Sequence, residues 1–131
     1  MNALKNKSDI NLTAAELLHQ KSLYPSVVHC SYYSCFQYMK FIWLEKMGKD
    51  EIELATLTRN SIDGSHEVLI NQIGVFLKNN GCNSRDFNNQ IGQLKKLRRK
   101  ADYENFQIDS SISANSLSLS KSLLNILKNC A

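Results

Sequence analysis

Apolar residues recur at three- and four-residue spacing along most of this chain, a period that predicts helices. The first segment puts Ile10, Ala14, Leu17 and Leu18 on one side, with Glu16 and Gln20 looking outward. Ser8 or Asp9 is placed to cap it, and it is expected to run to about Lys21. Tyr24-Pro25 breaks the pattern. Proline suits the first position of a helix, where its missing N–H has no helical partner anyway. A second helix is therefore expected from Pro25 to about Met47, with Gly48 as its stop. Val28, Tyr32, Cys35, Met39 and Ile42 form one stripe along it, and Val27, Ser31, Ser34, Tyr38 and Phe41 a second beside it. A helix apolar around most of its circumference belongs in the middle of a bundle. Ser31 and Ser34 are small enough for a neighbouring helix to approach. The aromatic run Tyr32, Tyr33, Phe36, Tyr38, Phe41 and Trp43 reads as core, with one or two phenols left to line a groove.

Lys49 to Gly64 has no clear period. A connection of that length in a helical protein is either a mobile segment or a cover over a site. Asp63 or Ser65 can cap a third helix carrying Val68, Leu69, Ile73, Phe76 and Leu77 and ending near Asn79-Asn80-Gly81. Ser84 is the expected cap of a fourth, with Asp86 at its positive end and Phe87, Ile91, Leu94, Leu97 and Ala101 along its buried side. That helix reaches Tyr103, and a break follows from Glu104 to about Ser110. A fifth helix is expected from Ser111 to Asn129, with Ile112, Leu117, Leu123, Leu124 and Leu127 inward. Its serines (Ser113, Ser116, Ser118, Ser120 and Ser122) are close-packing or solvated positions. The sum is an all-α, up-and-down helical bundle of about five helices, forming a single domain over residues 1–131.

Composition agrees with that picture. The 131 residues are 43% hydrophobic and 21% charged, which fits a packed core and not a disordered chain. One proline and five glycines favour long helices. A net charge of +4 is compatible with a polyanionic partner without pointing to one. The opening residues, Met1 to Lys7, hold no apolar run of signal-peptide length, and no stretch approaches the roughly 20 apolar residues of a membrane span. A cytoplasmic protein with no membrane partner is expected. Cys30, Cys35, Cys82 and Cys130 include no C-x-x-C pair, and no histidine follows at zinc-finger spacing. They read as reduced thiols packed as small hydrophobes, and neither a metal nor a cofactor is expected.

The candidate chemistry lies in Leu94-Lys95-Lys96-Leu97-Arg98-Arg99-Lys100-Ala101-Asp102-Tyr103. Leu94, Leu97 and Ala101 make the buried stripe, which puts Arg98 at its edge with Asp102 one turn on. Lys95 and Arg99 share a flanking face, and Lys96 and Lys100 another. A guanidinium grips a phosphate at two points, and an acid can orient it. The plainer alternative is an i, i+4 ion pair that stitches the bundle or a dimer seam, beside a solvated basic face. His66 stands beside the 49–64 connection. It becomes a proton-transfer candidate if that connection lies against the fourth helix. His19 and His29 have no carboxylate or cysteine at ligand spacing and read as non-catalytic. No G-x-S-x-G or phosphate-loop motif occurs.

Two stretches carry a family resemblance. Tyr24-Pro25-Ser26-Val27-Val28-His29-Cys30-Ser31-Tyr32-Tyr33-Ser34-Cys35-Phe36 resembles the second helix of the HEPN family, with its small-Tyr-Tyr-x-x-Phe run. Leu97-Arg98-Arg99-Lys100-Ala101-Asp102-Tyr103 is similar to the R-x-x-A-D-Y signature of a small, single-domain prokaryotic branch. The resemblance implies a bundle that often forms a homodimer and is paired with a small nucleotidyltransferase protein in toxin–antitoxin or defence systems. Some members are metal-independent ribonucleases, using an arginine and a histidine within two helical turns after it. Here the last histidine is His66, and Tyr103 stands where that histidine is due. A phenol with a pKa near 10 is a poor base at neutral pH. The leading expectation is therefore a module that binds RNA or a nucleotide through Arg98, Asp102, Tyr103, Lys95 and Arg99. Two alternatives stand beside it: a divergent ribonuclease whose groove is completed across a homodimer, and a purely structural dimerisation module. The candidates for catalysis are Arg98, Asp102, Tyr103 and His66.

Overall fold

A computed structural model describes residues 2–130 and places six α-helices with no strand among them. They are α1 (Ala3–Gln20), α2 (Tyr24–Phe41), α3 (Glu51–Arg59), α4 (Ser65–Asn79), α5 (Ser84–Tyr103) and α6 (Ser110–Asn129). The all-α bundle follows the periodicity, with one more helix than expected.

α2 is the hub. It packs against α1, α4, α5 and α6, and both of its expected stripes are buried along it. Two serines make the close approaches. The Ser34 hydroxyl donates to the Ser8 carbonyl at 2.8 Å, and the Ser8 hydroxyl donates to the Ser34 carbonyl at 2.7 Å. On the other side the Ser120 hydroxyl of α6 donates to the Ser31 carbonyl at 2.8 Å. Ser113, Ser116 and Ser120 of α6 are buried, while Ser118 and Ser122 are exposed, so the serine-rich helix uses both roles. Trp43, Tyr32, Phe87, Met39 and Ile42 are the largest fully buried side chains, and the helices share one apolar cluster built around them.

Several boundaries differ from expectation, each for a local reason. α1 begins at Ala3 and not at Ser8, because the Asn2 side chain caps the N–H groups of Leu4 and Lys5. Its inward residues are Ser8 and Ala15, whereas Ile10 and Leu17 of the expected apolar side are exposed. α2 ends at Phe41 and passes into a π-helical turn, Ile42–Lys46, with Gly48 beyond it at a φ of +65°. α4 is preceded by Gly64 with no side-chain cap, and Asn83, not Ser84, caps α5.

The sixth helix is α3, inside the 49–64 connection. Asp50 caps it by accepting from Glu53 N–H at 2.7 Å, and Glu51 and Glu53 suit its positive end. Leu54 is its one buried residue, so the segment carries no stripe.

The cysteines also need correction. Cys82 and Cys130 form a disulfide with their Cα atoms 6.0 Å apart, and only Cys30 and Cys35 are free. These partners lie 48 residues apart in sequence. Cys82 follows α4 and Cys130 ends α6, and helix packing alone brings them together. Among the described residues no helix is long and apolar enough to cross a membrane.

Candidate functional site

The largest departure in α5 is where Arg98 points. The buried side of this helix is Phe87, Ile91, Leu94 and Arg98, spaced four, three and four apart. Arg98 thus occupies a core position, not an edge, and is 7% exposed. Leu97 and Ala101, expected on that stripe, are half-buried beside it.

Tyrosines from α2 receive the guanidinium. It lies 4.8 Å from the Tyr32 ring centroid and 5.8 Å from that of Tyr33. Tyr103, at the end of α5, closes the third side at 5.6 Å. Ring faces attract a cation, but they do not satisfy N–H donors. The polar contacts are sparse. Nη1 reaches the Tyr103 hydroxyl at 3.5 Å and the Asp102 carboxylate at 3.8 Å, and Nε is buried with no hydrogen-bond partner. A buried cation normally has its donors met, since its desolvation costs several kcal/mol. Here Nε is left without a partner.

Asp102 is better engaged elsewhere. Its Oδ2 accepts from Nδ1 of His29 on α2 at 2.9 Å, and the carboxylate side chain is 18% exposed. A carboxylate has no proton to give at neutral pH, so Nδ1 must carry the hydrogen. The His29 ring rests on the Tyr33 ring at 4.7 Å between centroids and is itself half open to solvent. His29, Asp102 and Tyr103 line one open hollow with Pro25, Ser26 and Ala101. The absence of a carboxylate at ligand spacing in the sequence does not leave His29 without one in the bundle. The partner comes from a helix 73 residues away and not from local spacing.

His66 also arrives at this cluster. The first turn of α4 carries it there, and the 49–64 connection does not lie across α5 to do so. Its Nδ1 is 2.9 Å from the Tyr32 hydroxyl, and its ring stacks on Phe36 at 4.1 Å. Burial raises the Tyr32 pKa far above its ordinary value, so the hydroxyl keeps its proton. Burial lowers the His66 pKa, and the charges of Arg98, Lys95 and Lys40 lower it further. Neutral His66 therefore accepts the Tyr32 proton at Nδ1 and carries its own on Nε2. In this arrangement it has no free lone pair with which to act as a base.

This histidine gives stability a definite pH dependence. Its folded pKa lies below the unfolded value of 6.5, so the folded state favours the neutral ring. The contribution is full above about 6.5 and declines as pH falls towards the folded pKa. Urea midpoints at pH 7.5 and 5.5 are expected to drop further in the wild type than in His66→Gln. Equal drops would mean that His66 titrates normally.

The outer face of α5 carries the basic residues. Lys95 is tied to Glu67 of α4, and Lys100 lies 4.7 Å from the Phe106 ring. Lys96 and Arg99 are exposed and make no ion pair among the described residues. These cations share a shallow hollow with Glu67, Gly92 and Glu104. The structure therefore brings Arg98, Asp102, Tyr103 and His66 into one cluster and adds His29, Tyr32 and Tyr33. Lys95 and Arg99 lie on the adjoining surface. No group of three or more metal-ligating side chains occurs among the described residues.

No family model matches this chain, and no curated protein or solved structure matches it either.

Proposed function

We propose that this chain is an RNA- or nucleotide-binding module of the HEPN kind, which takes a phosphate at Arg98 and the neighbouring strand along α5. Arg98 carries the reading. It is a cation buried beneath three aromatic rings, with Nε unpartnered and its nearest carboxylate oxygen committed to His29. A phosphate oxygen is a stronger acceptor for Nη1 than the Tyr103 hydroxyl that it reaches at 3.5 Å. Tyr103, 76% exposed, offers a stacking face at the mouth, and Lys96 and Arg99 continue the positive surface outward. The resemblance in α2 and α5 supplies the biological frame. In that frame the module forms a homodimer and works beside a nucleotidyltransferase in a toxin–antitoxin or defence system, and a nucleotidyltransferase gene next to its own is the expected context.

Binding of a fluorescein-labelled single-stranded oligoribonucleotide, and competition by nucleoside mono- and triphosphates, tests this reading. The wild type is expected to bind with an affinity that falls as salt rises. Lys96→Ala combined with Arg99→Ala is expected to weaken binding several-fold and to flatten the salt slope by about two. Failure of the wild type to bind any of these probes would remove the reading.

A further inference from the structure

We infer that the groove between α4 and α5 holds an unpaired base of the bound strand, which makes this chain selective for single-stranded nucleic acid. The inference rests on the binding reading above and carries its strand from the basic face of α5 into a second hollow. That hollow has a volume of about 470 Å³ and is walled by Ile70, Asn71 and Val75 of α4 and by Asn88, Ile91 and Gly92 of α5. Its size is within the range of small-ligand sites. It runs into the basic hollow on the outer face of α5, because Glu67, Gly92 and Lys95 line both.

The lining suits a nucleotide. The floor is apolar: Ile70 and Ile91 are buried, and Val75 is 55% exposed, a surface that a base face can cover. The walls carry amides. Asn71 and Asn88 are both exposed, and an amide offers an acceptor and two donors, the complement of a base edge. A Cβ at Gly74 would stand 2.8 Å from Asn88 Oδ1, so glycine there lets that amide lean across to α4. The ends are cationic. Lys78, in the last turn of α4, stands at one end and Lys95 at the other, where Lys96 and Arg99 continue the charge. Glu67 is the one acid among the residues lining the groove, and it is tied to Lys95. Phosphates on either side of an inserted base therefore meet lysines. Gly92 separates this groove from an ordinary helix seam. Glycine inside a helix is destabilising relative to alanine, and a Cβ at Gly92 would meet nothing within 4 Å, so no packing contact requires it. It leaves open the junction of the two hollows, where a strand's backbone can approach α5 closely. A duplex keeps its bases stacked and paired and has none to insert.

The test measures anisotropy with the full chain and labelled probes at one salt concentration: a single-stranded oligoribonucleotide, its duplex, an abasic tetrahydrofuran-phosphate chain of equal length, and poly-glutamate. Folding is read by circular dichroism. The wild type is expected to bind the intact single strand about 10-fold more tightly than the abasic chain or the duplex. Asn71→Ala combined with Val75→Ala alters two exposed positions that line the α4–α5 hollow and not the basic one. It is expected to bring the intact strand down to the affinity of the abasic chain, with abasic binding unchanged. Gly92→Leu plugs the junction and is expected to weaken the intact strand about 10-fold with a urea midpoint no lower than that of the wild type, since leucine is the better helix former. Equal wild-type binding of intact and abasic chains overturns the inference and leaves the binding reading standing. Full affinity for the intact strand in the folded Asn71→Ala/Val75→Ala variant does the same. Poly-glutamate bound as tightly as the intact strand assigns the groove to an acidic protein segment and overturns it as well. Absence of any nucleic-acid binding removes both readings.

Discussion

Arg98→Met is expected to bind RNA about 10- to 150-fold more weakly than the wild type while unfolding at an equal or higher temperature. Each half of that result has its own cause. A charge-assisted hydrogen bond is worth roughly 1.5–3 kcal/mol, and its loss sets the affinity change. Stability moves the other way because the buried guanidinium is poorly matched. Its Nε has no partner, and Asp102 stands 3.8 Å away while bonding His29 at 2.9 Å. Replacing a buried charge by an apolar side chain of similar volume is often neutral or stabilising by about 1–4 kcal/mol. Methionine is unbranched and fills irregular space against aromatic rings. Asp102 keeps its histidine, so the substitution does not strand a buried carboxylate. If Arg98 instead stitched α5 to α2, removing it would cost about 3–5 kcal/mol, as breaking a buried pair does. Thermal melts and anisotropy on one preparation separate the cases. Destabilisation of that size with unchanged RNA affinity would make Arg98 a structural residue and empty the proposed site.

Reducing the Cys82–Cys130 disulfide is expected to lower unfolding free energy by about 2–4 kcal/mol. Loop-closure entropy for the 48-residue separation gives an upper figure of about 4 kcal/mol. Nothing else covalent ties the end of α6 to the α4–α5 turn. Cys130 is buried and terminates its helix without further capping, so loss of the bond frees the last turn of α6 to fray. Urea denaturation with and without reductant measures the effect, with Cys82→Ser/Cys130→Ser as the reference. The oxidised wild type should be the most stable, and the reduced wild type should match the double variant. Reductant should leave the double variant unchanged. Coincident curves for oxidised and reduced wild type would show that helix packing alone holds this corner.

Much of the fold is legible in the spacing of apolar residues. The two stripes of α2 are buried as expected, and Val68, Leu69, Ile73 and Leu77 of α4 and Leu123, Leu124 and Leu127 of α6 face inward as their spacing requires. Periodicity works there because each helix buries a continuous face. It fails at α3, whose cap and acidic first turn are local signals but whose single buried leucine makes no stripe. It misleads at α1, where Ser8 and Ala15 are preferred inside over Ile10 and Leu17. The close crossing with α2 demands small side chains that exchange hydroxyl hydrogen bonds.

Every helix but α3 and the central place of α2 follow from the order of residues. They depend on neighbours in the chain, on spacing of three or four residues, and on breakers such as Pro25 and Gly48. The partners follow only from the packed bundle. His29 meets Asp102 across 73 residues, Tyr32 meets His66 across 34, and Cys82 meets Cys130 across 48. No local pattern encodes such pairs, because they form only when helix faces are set against one another. For the same reason Arg98 can be placed near a buried stripe from its position, but its full burial among three tyrosine rings needs α2 laid against α5.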